Sequence, residues 1–169
     1  RNKTTNVEFL QHAINGLTTP GLIDLLIDDG VEDPIYDVQM VNNIKAANII
    51  TLSIGGNDLM QWAQIPGFAT VNWAKAQGSA DTFVATEWVK LIETIKGLNR
   101  IARLIVTTGY NPYNLEAVPG YESDVVPGTD GISFSQHTEA LVTYMRSVVI
   151  SESNKALLGY EVADIYHDF

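Results

Sequence analysis

Two glycines, an asparagine and an aspartate close an apolar run at Ala47 to Met60 (ANIITLSIGGNDLM), and their order suggests chemistry. Adjacent glycines let the backbone turn tightly and approach a ligand. Asn57 then presents a carboxamide, a neutral donor of two hydrogen bonds. Such a donor suits a developing oxyanion, because it stabilises charge without transferring a proton. A plainer reading is also open: Gly-Asn-Asp makes a turn, and Asp58 caps the helix that follows. Two other turns carry small or polar residues, INGLTTPG at 14–21 and GYNPYN at 109–114.

Other candidates are thinner. The chain has 169 residues, a formal net charge of −10 from 20 acidic and 10 basic residues, and no cysteine. Disulfides, thiolate metal sites and a cysteine nucleophile are therefore excluded. The acidic balance opposes nucleic acid and anionic membrane surfaces, and Lys90, Lys96, Arg100 and Arg103 form no stripe. His12, His137 and His167 lack the spacing of a zinc site, and no metal or organic cofactor is implied. His12 reads as a hydrogen-bonded strand residue and His137 as a solvated residue opening a helix. Asp28 with Asp29, and Asp58 with Asp81, read as helix caps and ends rather than as a glycosidase pair. Ser53 stands inside the apolar run, and Thr51 breaks any Gly-x-Ser-x-Gly pattern around it, so it is not expected to be a nucleophile. Trp62, Phe68 and Trp73 read as anchors of a long loop, with an acyl-pocket lining as the other reading.

These residues need a scaffold. Val7–Ala13 reads as a strand. Thr19 reads as an N-cap with Pro20 at the first helical position, and Leu22, Leu25 and Leu26 share a face before Gly30. Asp33 and Pro34 repeat the start signal ahead of Ile35, Val38, Val41 and Ile44. Asn48–Gly56 reads as a strand buried on both faces, and Leu59–Ala80 as irregular. Asp81 is expected to cap a helix through Val84, Trp88, Leu91, Ile92 and Ile95 that ends at Gly97. Arg103–Thr108 is another buried strand, and Gly109–Ile132 a Pro/Gly-rich loop. Ser133 with Gln136 fits a capping box for a helix whose Leu141, Tyr144, Met145, Val148 and Val149 face a core. A last strand runs from about Gly159 to Tyr166.

Strands separated by helices, without hairpin signals, predict a single α/β domain over 1–169 with a parallel sheet covered on both faces. No apolar run reaches the roughly 18 residues of a membrane-spanning helix. Ligands of such sheets bind beyond the carboxyl ends of the strands, where GGND and the other two turns fall.

The segment Ala47–Met60 resembles the third conserved block of the SGNH hydrolases, which include the GDSL lipases and esterases. His12–Leu26 (HAINGLTTPGLIDLL) resembles the second block, and LIVTTGYNPYN the fourth strand with its loop. The resemblance covers most of the chain in order and spacing. It implies a three-layer α/β/α sandwich of flavodoxin-like topology and a serine ester hydrolase acting on a small-molecule or lipid ester. It also implies that the Asn57 side chain and the Gly16 N–H form the oxyanion hole, with Asn15 and Thr18 shaping the turn.

The family's serine lies in a Gly-Asp-Ser-like motif after the first strand, and no such motif precedes Gly16. The first strand, the nucleophile and the base of the last block are therefore expected outside residues 1–169, and this segment alone is expected to be inactive. Asp164-Ile165-Tyr166-His167 matches the Asp-x-x-His spacing of the last block, which would make His167 the base and Asp164 its orienter. VADIYHDF also resembles the family's fifth strand, which would leave that pair a structural part. Without the first strand, Val7–Ala13 and Asn48–Gly55 would face each other across an unpaired gap, and another segment is expected to complete the sheet. The resemblance is compatible with a secreted or cell-envelope location. The alternative is a non-catalytic binding or assembly module of the same fold.

Overall fold

The computed structural model describes residues 7–27, 36–60, 72–109, 111 and 131–165. It is a mixed α/β arrangement on a three-stranded parallel sheet in the order β1-β2-β3: β1 is Ile49–Leu52, β2 Arg103–Thr107 and β3 Glu161–Ala163. Ile50 lies opposite Leu104, and Val106 opposite Val162. Helices α1 (Thr19–Leu26) and α2 (Val38–Ala46) precede the sheet. Between β1 and β2 come α3 (Gly56–Met60), α4 (Trp73–Thr82), a π-helical turn (Phe83–Glu87) and α5 (Trp88–Leu98). Between β2 and β3 stand α6 (Phe134–Ile150) and α7 (Glu152–Leu158).

Strand alternation decides where the core sits. Leu52, Leu104 and Val106 are buried with Ile23 of α1, Val41 of α2, Trp88 and Leu91 of α5, and Met145 of α6. Each large side chain so buried contributes about 1.5–3 kcal/mol. The alternate residues Ile49, Thr51, Arg103 and Glu161 are exposed. Arg103 and Glu161 form an ion pair there, at 2.6 Å.

Several sequence expectations are corrected. Val7–Ala13 forms no strand: a strand persists only by pairing, and Val7, Phe9 and Leu10 are 89%, 79% and 52% exposed. β1 is an edge strand, shorter than expected and buried on one face only. The cap of α1 is Thr18, one residue earlier than expected, and the helix ends at Leu26. Asp37, whose carboxylate accepts from Met40 N at 2.9 Å, starts α2. Residues 73–80 are helical, because Asn72 caps α4 and the small side chains of Ala76 and Ala80 form its buried face. Asp81 therefore lies inside a helix, accepting from Gln77 Nε2 at 2.9 Å, and caps nothing.

Asn99 rather than Gly97 ends α5, its amide donating to the carbonyls of Ile44, Lys45 and Ala47. The chain beyond Ile150 turns into α7, capped by Ser151 and closed by Gly159, so β3 begins only at Glu161. The capping box at Ser133 and Gln136 and the strand from Arg103 form as expected. Residues 28–35, Trp62, Phe68, Tyr166 and most of 109–132 lie outside the described residues.

Candidate functional site

The GGND segment begins three residues past the end of β1. Gly55 has φ 103° and is buried; a Cβ there would sit 3.3 Å from Met145 Cε and 3.5 Å from the Phe83 ring. Glycine is thus required twice over, by backbone conformation and by packing. The turn hydrogen bond Asp58 N to Gly55 O, at 3.2 Å, then starts α3. Gly16, in the first turn, has φ 78° with nothing near its Cβ position, so only its left-handed backbone calls for glycine.

These two turns, far apart in sequence, meet in space. Asn57 Nδ2 donates to the Leu17 carbonyl at 3.0 Å, across 40 residues. A carboxamide nitrogen carries two N–H groups, so one remains after this bond. Asn57 is half-buried and Gly16 exposed. Among the described residues the Gly16 N–H makes no hydrogen bond.

Beside Asn57, Asp58 is only 2% exposed. Both its carboxylate oxygens accept from Thr19 N at 3.1 Å, and Thr19 Oγ1 donates to Oδ2 at 3.1 Å. Asp58 therefore binds the first residue of α1 rather than capping its own helix. Burial pushes its pKa up, and the Thr19 hydrogen bonds oppose the shift. Nothing in the local sequence marks this partnership, since the two residues lie 39 positions apart.

On the far side of Asp58 is a cleft of about 430 Å³, lined by Pro20, Lys75, Ser79, Thr82 and Glu87 among others. Glu87 ends the π-helical turn, a form that often re-aims side chains near functional sites. Burial first, and the Asp58 charge second, raise the Glu87 pKa, while Lys90 lowers it. Gly16 and Asn57 do not line this cleft.

The other candidates have partners of their own. Asp164, just beyond β3, accepts from Thr108 Oγ1 at 2.8 Å and is paired with Arg146. His167, its companion in the Asp-x-x-His match, lies outside the described residues. His12 Nε2 lies 2.8 Å from the Asn43 amide of α2, so its hydrogen bond is to a helix and not within a sheet. His137 is not solvated. It is half-buried and stacked on Trp73 with ring centres 4.7 Å apart, and burial lowers its pKa. Its Nε2 and the Trp73 Nε1 are buried without hydrogen-bond partners. Trp73 itself packs edge-on against Phe134 at 5.2 Å, as an anchor within α4.

Ser53 is exposed just past β1, rather than inside a buried strand, and no described histidine bonds to it. A serine without an adjacent base is a weak nucleophile. Among the described residues no three His, Asp or Glu side chains are grouped to hold a metal ion. No protein-family model matches the chain, and no curated protein matches it.

Proposed function

We propose that this chain is the core of a serine ester hydrolase resembling the SGNH/GDSL group, in which the Gly16 N–H and the Asn57 carboxamide hold the tetrahedral oxyanion. The observation that carries the reading is the Asn57–Leu17 hydrogen bond. It brings the carboxamide to the residue following Gly16 and leaves one N–H for a ligand. Two donors on two turns are what acyl transfer needs, since charge moves onto the carbonyl oxygen as the nucleophile attacks.

The nucleophile is a serine from outside residues 1–169. Its hydroxyl attacks the ester carbonyl while a histidine takes the proton; the proton then returns to the departing alcohol, leaving an acyl-enzyme. Water repeats the sequence and releases the acid. The same external segment supplies a strand against the edge of β1, which pairs with β2 alone among the described strands, and completes a three-layer sandwich. Substrates are small-molecule or lipid esters; among the described residues no helix is long and apolar enough to cross a membrane.

The test is a longer polypeptide that carries a Gly-Asp-Ser-like segment upstream of Arg1. It should hydrolyse p-nitrophenyl acetate, and Asn57→Ala should lower kcat about 10²–10³-fold. Unchanged turnover in that variant rejects the role of Asn57. A second reading, a non-catalytic module of the same fold, draws on the absence of an activated serine among the described residues. It predicts no turnover from any extended form.

A further inference from the structure

Asp58 lies next to Asn57 on α3, and Thr19 lies two residues after Leu17. The two hydrogen-bonded contacts therefore run side by side between α3 and the start of α1. We propose that Asp58 is a positioning residue: its grip on Thr19 holds α3 in the one placement, relative to the Gly16 turn, that aims the Asn57 carboxamide at the oxyanion. The catalytic consequence rests on the hydrolase reading above; the grip itself does not.

Helix capping alone does not account for this carboxylate. The first turn of a helix leaves its N–H groups without intrahelical partners. In α1, Pro20 has no N–H, and the Thr18 side chain already serves Gly21 N. A single orphan donor remains, Thr19 N, and a hydroxyl or a water would satisfy it. The chain instead buries a carboxylate there, which is costly to desolvate. What a carboxylate adds is geometry. Two oxygens equidistant from one N–H, with a third bond from Oγ1, fix the rotation of Asp58 as well as its distance. Asn57 has no such restraint of its own, since one hydrogen bond to Leu17 O permits it to swing. α3 is only five residues long and follows the left-handed Gly55; Leu59 packs it into the core beside α4, and the Asp58 bonds add the directed link to α1.

A misplacement of about 1 Å at a reacting centre can cost on the order of 10²-fold in rate. Asp58→Asn retains the shape and one acceptor, and it removes the buried charge. The fold should therefore tolerate it, with a small change in Tm, while kcat for p-nitrophenyl acetate falls about 10- to 100-fold at nearly constant KM. Thr19→Ser keeps every bond and should behave as the parent. Thr19→Val loses only the Oγ1 contact and should fall between. A kcat within twofold of the parent in Asp58→Asn overturns the proposal. So does a loss that merely follows Tm, as judged against Val149→Ala, which lowers stability from the far end of α6.

If the longer polypeptide shows no esterase activity, the hydrolase reading fails while the grip is still decided on the present chain. In Asp58→Asn the Thr19 amide should keep only part of its protection from hydrogen exchange, since one acceptor oxygen remains, and the Asn57 side-chain resonances should shift toward those of a freely rotating amide. Asn57 resonances that stay in place overturn the positioning role.

Discussion

The carboxyl ends of β1 and β3 both carry an aspartate, and the two are used differently. Asp164 meets a cation: Arg146 and the Thr108 hydroxyl bind it, and Ile165 N closes onto the same Thr108 oxygen. Every polar group named there joins one element to another. Asp58 is buried and accepts from the backbone N–H and the hydroxyl of Thr19, and the neighbouring Asn57 retains an N–H beyond its own bond. An ion pair ties the β3 end together, whereas hydrogen bonds from a neutral residue join α3 to α1 at the β1 end.

Breaking the β1 end should have the largest consequences. Beyond Asn57→Ala, Gly55→Ala forces a Cβ toward Met145 and Phe83 in a left-handed backbone, and should cost about 1–3 kcal/mol of stability, measured by urea unfolding. Gly16→Ala meets no neighbour and should cost only about 1–2 kcal/mol, the conformational part alone. A larger loss at Gly16 than at Gly55 would mean that the packing around Gly55 is loose.

At the β3 end, Arg146→Met removes the cation from Asp164, whose side chain is 35% exposed. Allowing for that exposure, the loss should be about 1 kcal/mol or less, with kcat of the longer polypeptide unaffected. A large fall in kcat there would transfer a catalytic part to the β3 end and dissolve the contrast.

The smallest effect concerns Glu87. Its folded pKa is raised, so between its unfolded and folded values the native state binds more protons than the unfolded state. Stability should therefore fall as pH rises through that window, and stay lower above it. Glu87→Gln should flatten this fall and raise Tm at neutral pH relative to the parent. Parallel Tm–pH curves for the two proteins would show that burial and the Asp58 charge do not raise the Glu87 pKa.

What could be read beforehand was local. The capping box joins Ser133 to Gln136 three positions on, and the apolar run of β2 is unbroken by Gly or Pro, so both are written in adjacent letters. α4 was not legible: Gly78 and a mostly polar stretch suggest a loop, and its helical face consists of two small alanines whose burial depends on what they pack against. Val7–Ala13 has a strand's pattern but no strand forms, since pairing is a property of the sheet and not of the segment. Within the candidate site, Asn57 could be singled out from residue type and Gly16 only through the resemblance; the structure brings their two turns together. That Asp58 would reach Thr19, 39 residues away, could not, because no spacing rule connects two turns that meet only in the folded chain.

If the proposed site is right, the Gly16 amide and the Asn57 carboxamide address one anionic oxygen. NMR of the longer polypeptide, labelled with ¹⁵N and reacted at its serine with a phosphonate ester, reads this out, because the phosphonyl oxygen stands where the oxyanion would. The Gly16 N–H and one Asn57 side-chain N–H should move downfield together on reaction. Movement of only one of them, or of neither, would contradict it.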